Sequence, residues 1–581
     1  MLKEAIFHRP KQNWAYGYDD ETVHLRIRTK RGDVDHVDVI YGDKCTPWSA
    51  IMTEPMTVMG SDELFDYWEA AVRPPYRRLS YGFVIHDGEQ QLWYTEKGFS
   101  AVPPSVHLGL FEYPCLNPID ILKPPAWVKD AVFYQLFTER FANGDSSIDP
   151  SNVLPWGGKP EYDNFFGGDL QGVRDHLDYL SELGVNAIYF NPIFEAPANH
   201  KYDTQDYMKV DPHFGSNETL KRLVQACHER GIRVMLDAVF NHCGITFAPF
   251  VDVREKGIDS VYKDWFHIRK WPLEIEQGIP TYETFAFEAT MPKFNTANAQ
   301  VKEYLLGVAE YWIKEIGIDG WRLDVANEVD HQFWREFRQV VKRANPEAYI
   351  LGEVWHDSLM WLQGDQFDGV MNYPLTNAAL DFFVFGHSDA RKFADTVSGL
   401  LAWYPKQANE ACFNLLGSHD TVRLLTLCKN DKRMMKLAVL FQFTIAGAPC
   451  IYYGDEIGLD GEFDPDNRKC MEWDTSKQDR ELFAFHQHVI ALRKQHEVLR
   501  TGAFRVLLAE EDDSRFAYER SDGKERLVVL MNPAEQSSVV VVSLAEGEWK
   551  DAFTGASITA SGGQYSEELA AYGYRVLVSA S

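Results

Sequence analysis

From Trp127 onward one pattern recurs eight times: a short apolar run, a loop, then a helix-forming stretch. The runs are 131–136, 186–190, 233–240, 320–327, 348–355, 369–373, 413–417 and 449–453. Parallel strands need long crossovers, usually helical, so this alternation calls for a parallel sheet. Eight such units predict an α/β chain built on a TIM (β/α)8 barrel. Residues 243–297, after the third run, are too many for a plain loop and read as an inserted small domain.

The flanks read differently. Residues 1–123 alternate polar and apolar, as in Val23–Arg28 and Val37–Tyr41, and Tyr81–Ile85 and Gln91–Tyr94 flank a hairpin signal at His86-Asp87-Gly88-Glu89-Gln90. This pattern predicts an N-terminal β-sandwich ending before Pro124-Pro125. Past a helix ending near Glu497, strands return at 526–531 and 538–542, so 124–498 is the barrel unit and 499–581 a C-terminal all-β domain.

In a barrel of this kind the working face lies at the C-terminal ends of the strands. Those ends carry Asp237, Asn241 and His242 on the third, Arg322 and Asp324 on the fourth, Glu353 on the fifth, and His419 and Asp420 on the seventh. Arg322 and Asp324 stand two apart in an apolar run, hence on one side of a strand. A buried charge is there to be paired or to work, and a structural ion pair is the plainer reading of these two alone. Acids on several strand ends suit sugar hydrolysis, where one carboxylate attacks or stabilises the anomeric carbon and another protonates the leaving oxygen. Arg322 beside Asp324 would favour its ionised form, and neighbouring carboxylates would hold a proton on Glu353. No His/Cys cluster, phosphate loop or serine elbow competes.

A net charge of −28 argues against nucleic acid and against anionic membranes. The eight cysteines show no metal-like spacing, no apolar run is long enough to span a membrane, and Met1–Ile6 does not resemble a secretory signal. A reduced, cytoplasmic protein is expected.

At four places the sequence resembles the signature regions of the α-amylase family of glycoside hydrolases: Asp237–His242, Gly320–Asp324, Gly352–Trp355 and Leu416–Asp420, in the family's order. Met291-Pro292-Lys293-Phe294-Asn295 resembles a further signature of the neopullulanase, cyclomaltodextrinase and maltogenic amylase subgroup. The resemblance implies a retaining enzyme acting on α-1,4 bonds of cyclodextrins and short maltodextrins, with some transglycosylation; action mainly on pullulan or linear glucans is the alternative. It implies Asp324 as nucleophile, Glu353 as general acid/base and Asp420 as the third acid. It places His242, His419 and Arg322 on the sugar and Tyr202 beneath its ring. Asp464 and Arg468 match substrate-binding positions, with a surface ion pair as the other reading. Glu328, Trp355 and His356 would line the leaving-group side. Tyr373, at the end of the sixth run, is a substrate contact or a core tyrosine.

The same resemblance suggests a structural Ca2+ held by Asn143, Asp145, Asp149, Gly167 and Asp169, with Ile148 where a relative can have Asn; a self-bonded loop is the alternative. It also implies a homodimer in which each N-terminal domain roofs the partner's cleft. Trp48 would suit such a roof, or the core of the sandwich.

Overall fold

The computed structural model describes residues 1–88 and 90–579, so Glu89 of the expected hairpin turn lies outside the described residues. Eight parallel strands form the barrel: β1 (Phe133–Leu136), β2 (Ala187–Phe190), β3 (Arg233–Ala238), β4 (Gly320–Leu323), β5 (Tyr349–Gly352), β6 (Gly369–Val370), β7 (Phe413–Asn414) and β8 (Ala448–Tyr452). They pair in the order β6-β5-β4-β3-β2-β1-β8-β7, and a parallel bridge between Met371 and Phe413 joins the two ends. Alternate side chains face opposite ways. Phe133, Tyr189, Met235, Tyr349, Leu351 and Phe413 share one buried cluster inside the ring, while Tyr134, Ile188, Leu236, Trp321 and Ile350 join the larger one under the helices.

Strand ends fall short of the apolar runs. The fourth strand stops at Leu323, and Val325 turns the chain with a left-handed φ of 46°. Tyr373 does not end the sixth strand as expected; it opens the helix Tyr373–Leu380. Pro374 at the second helical position is compatible with that start, since an early N–H has no intrahelical partner anyway. Apolarity marks burial on both sides of such a boundary, so it could not locate it.

The expected insertion contains the helix Ala248–Lys256 and a hairpin of Ile275–Glu276 with Ile279–Pro280. The bridge His242↔Lys293 and the Phe294 N–H on the Asn241 carbonyl at 3.0 Å tie its far end back to the barrel top, while Phe266↔Phe294 closes the insertion on itself.

N-terminally, a four-stranded and a six-stranded antiparallel sheet enclose Val23, Leu25, Ile27, Val39, Phe83 and Ile85. This sandwich docks on the barrel helices that follow β6. Buried Arg26 donates to the carbonyl of Tyr404 at 2.7 Å, Gln407 donates to Gly17 O at 2.8 Å, and Arg31 pairs with Asp395 at 2.7 Å. At the C-terminus a six-stranded sheet and a two-stranded one enclose Val528, Leu530, Val540 and Leu577.

Candidate active site

Strand register assembles the site. Asp237 on β3 pairs across to Arg322 on β4, and Leu323 pairs with Gly352. Asp324 and Glu353, each one residue beyond those partners, therefore emerge side by side from adjacent strands. Gly352 leaves the space for this: a Cβ there would come within 2.4 Å of the Phe367 ring.

One buried guanidinium gathers the acids. Arg322 Nη1 lies 3.0 Å from each oxygen of Asp237 and 2.6 Å from Asp324 Oδ1, and Nη2 lies 2.8 Å from Glu353 Oε1. Glu353 is further held by the Val325 N–H at 2.9 Å and the Trp355 indole at 3.2 Å. The Val325 turn is strained for a β-branched residue, and it aims that N–H at Oε2. Three carboxyls, Asp237, Asp324 and Glu353, stand on Arg322, and Asp420 completes the group with Arg468 Nη2 3.8 Å away.

The charge balance shows in the titration. Burial, reinforced by Glu353 and Asp237, raises the Asp324 carboxyl well above its ordinary value against the pull of Arg322. Arg322 does favour the ionised form of Asp324, as expected, but burial and the neighbouring acids outweigh it. Asp420 is pushed up to about 7, first by burial and then by Glu353. Arg322 is raised, its neighbouring acids outweighing its burial. Four crowded acids, with Arg322 among three of them and Arg468 beside the fourth, favour protons shared within the cluster.

A second chain of hydrogen bonds fixes the histidines. Gln135 on β1 donates to His419 Nδ1 at 2.9 Å, so His419 Nε2 carries the proton, 2.6 Å from the Tyr202 hydroxyl and 3.2 Å from Asp420. Tyr202 in turn donates to Asp237 at 3.0 Å, and Tyr189 does so at 2.6 Å. Burial keeps His419 neutral and lowers His242 to about 3. His242 Nε2 is buried without a partner, although the ring lines the cleft. An orphan of that kind is suited to a ligand hydroxyl.

The cleft encloses about 530 Å3, within the usual range for a small-ligand site. Tyr202, His242, Asp324, Glu353, Trp355, His419, Asp420, Asp464 and Arg468 all line it. Asp464 and Arg468 do form an ion pair, at 3.1 Å, but one facing the cleft. Four expected contacts do not line it: Arg322 is fully buried among the acids, and three others stand back. Glu328 bonds Lys293 at 2.8 Å on the rim, and exposed His356 contacts the Asp357 carbonyl at 3.0 Å. Tyr373 is buried beneath Trp355, rings 3.5 Å apart and nearly parallel, so it braces the wall rather than forming it.

Sequence reasoning passed over Gln135, Tyr189, His200, Phe285 and Asn327. A glutamine inside an apolar strand was a usable signal for the first. Phe285 comes from the insertion and lies over His242 at 5.2 Å, and nothing in its local pattern marks it.

The proposed calcium loop comes together but spends its donors on itself. Asn143 Nδ2 donates to Asp149 at 2.8 Å, and Asp145 Oδ1 accepts from the Ser147 N–H at 3.1 Å. Asp169 accepts the N–H groups of Gly144, Asp145 and Gly172. That leaves Asn143, Asp149 and the Gly167 carbonyl, short of the about six to eight oxygens calcium takes. Among the described residues no cluster of three or more His, Cys, Asp or Glu is arranged to hold a metal. As they stand, these residues do not fit the ion.

Comparison with known proteins covers the whole chain. Residues 135–502 match the model of the α-amylase catalytic domain, 1–117 the α-amylase N-terminal Ig-like domain, and 504–576 the maltogenic amylase C-terminal domain. A cyclomaltodextrinase from Bacillus sp is 62% identical over 534 residues, covering 92% of this chain and 96% of its own. An intracellular maltogenic amylase from Bacillus subtilis is 48% identical over 560 residues, covering 94% and 93%. A solved structure of a cyclomaltodextrinase superposes with a TM-score of 0.95 at 58% identity, covering 100% of both chains. The chain belongs to the α-amylase family of glycoside hydrolases, in the subgroup of the cyclomaltodextrinases, maltogenic amylases and neopullulanases.

Proposed function

We propose that the protein hydrolyses α-1,4 bonds of cyclodextrins and short maltodextrins with retention of configuration, and transfers part of its product to sugar acceptors. The observation that carries this is the placement of Asp324 and Glu353 one residue past paired positions on adjacent strands, both on Arg322. Neighbouring strands run about 4.8 Å apart, which suits the about 5–5.5 Å carboxyl separation of retaining enzymes and not the wider gap of inverting ones.

In this scheme an Asp324 oxygen bonds to the anomeric carbon while the Glu353 proton passes to the glycosidic oxygen, and the bond between them breaks. The ionised Glu353 then takes a proton from water or a sugar hydroxyl, whose oxygen displaces Asp324. His242 Nε2–H and the His419–Asp420 pair would hold ring hydroxyls of the sugar being cleaved, with Tyr202 under the ring. The peak of charge separation falls in a site where fixed donors replace water.

The scheme needs no metal. Calcium at 143–169 would be structural, and would require Asp145 and Asp169 to turn away from backbone N–H groups.

Dimerisation through the N-terminal domain is part of the reading. Exposed Val106 and Leu108 flank His107 in sequence, and His107 packs edge-on against half-buried Trp48 at 5.4 Å. A second chain covering that surface would roof the cleft and favour compact substrates. Trp48 itself packs with Ile40, Val84 and Leu110, which supports the core role over the stacking one. Among the described residues no helix is long and apolar enough to cross a membrane; a cytoplasmic location is supported by the intracellular maltogenic amylase relative.

Initial rates on β-cyclodextrin, pullulan and starch test the substrate reading. A clear preference for β-cyclodextrin is expected, and a preference for pullulan would favour the neopullulanase alternative.

A further inference from the structure

Two large aromatic side chains stand in solvent at one end of the cleft. Phe463 is 72% exposed and Tyr162 is 69% exposed. Neither position is accidental in the fold. Phe463 precedes Asp464, which lines the cleft and is held by Arg468. The Tyr162 hydroxyl donates to the Asp464 carbonyl at 3.0 Å, and the Tyr162 carbonyl accepts from Asn199 at 3.0 Å, next to His200, another cleft residue. Tyr162 is thus tied both to the loop of Asp464 and to the segment that carries His200, and Phe463 stands next to Asp464 in that loop.

An exposed phenyl ring costs hydration unless something covers it. Aromatic faces bordered by a carboxylate and a guanidinium are the usual chemistry for one sugar ring: apolar C–H faces stack, and hydroxyls bond the charged groups.

Resting on the glucan-hydrolase reading above, we propose that Phe463 and Tyr162 form an outer subsite for a glucose unit of a linear α-1,4-glucan, beyond the ring held by Asp464 and Arg468. Short chains end before it. Longer ones reach it and gain stacking on Phe463, with Tyr162 fixing the loop.

The test compares kcat/KM on maltotriose and maltohexaose for the wild type, Phe463→Ala, Phe463→Tyr and Tyr162→Ala, with sedimentation velocity on each. The proposal expects the maltohexaose-to-maltotriose ratio to fall about three- to tenfold in Phe463→Ala. It expects a smaller fall in Tyr162→Ala and recovery in Phe463→Tyr, which keeps the ring. An unchanged ratio in both alanine variants overturns the subsite. So does an equal loss on both substrates accompanied by a change in oligomeric state, which would make the ring an interface residue. Wild-type protein that cleaves neither sugar would instead refute the glucan-hydrolase reading beneath the proposal.

Discussion

Of the places where this molecule buries arginine, two do so for opposite ends. Arg322 sits among carboxylates, in contact with Asp237, Asp324 and Glu353. Arg493 and Arg520, where the barrel meets the C-terminal domain, form no ion pair among the described residues. Arg493 donates to the carbonyls of Phe443, Ile445, Leu499 and Gly447, and Arg520 to those of Thr444, Leu499 and Gly502. The fields differ accordingly. Acids outweigh burial and raise Arg322, whereas burial lowers Arg493 to about 9, with Arg520 adding to the effect, and lowers Arg520 to about 10. At the junction the guanidinium is a multiple donor that satisfies chain ends between domains. At the cleft it is a charge that lets mutually repelling acids stand together.

If that contrast is sound, substitutions at the two places should separate activity from stability. Asp324→Asn keeps the shape and removes the nucleophile. Its kcat should fall roughly 10⁴-fold or more with little change in melting temperature, and substantial residual turnover in a clean preparation would argue against the role. Arg493→Met should do the reverse. It leaves several carbonyls without donors, so stability should drop by roughly 3–5 kcal/mol in urea unfolding, while the fraction still folded keeps its kcat. Loss of kcat without loss of stability there would erase the distinction.

A third, smaller effect lies in pH. The Asp420 carboxyl is raised from its usual value to about 7, so the native state binds more protons than the unfolded chain in between. Stability should therefore decline as pH rises through that window. Asp420→Asn removes the term and should stabilise by about 1 kcal/mol more near pH 8 than near pH 5; the figure is kept low because water reaches the 34% exposed side chain. Equal gains at both pH values would mean that the charge cluster is already relieved. Least of all is expected from the 143–169 loop, whose carboxylates are largely committed to the backbone. Chelation should leave the melting temperature unmoved, and a rise of several degrees on adding calcium would show that the loop rearranges to bind it.

Periodicity made the barrel, its two β-rich flanks and the acid-bearing strand ends legible, because each strand end places its residue on the same face. Arg322 and Asp324 announced themselves as charges in an apolar run. Phe285 did not, since it reaches the cleft from a loop whose course depends on distant packing. Tyr373 was misplaced for a related reason: a buried helix start and a buried strand end carry the same apolar signal. The calcium loop shows the limit of motif reasoning. Its residues converge, yet the side chains find closer partners in N–H groups of the loop itself.

The most direct measurement is the anomeric form of the first product, followed by proton NMR from the start of β-cyclodextrin or maltohexaose hydrolysis. The account predicts that the new reducing end appears first in the α configuration and reaches the β form only by mutarotation, since Asp324 and Glu353 stand on adjacent strands and two displacements restore the original configuration. A new reducing end that appears first as β would mean a single displacement by water, and would contradict the assignment of Asp324 as nucleophile.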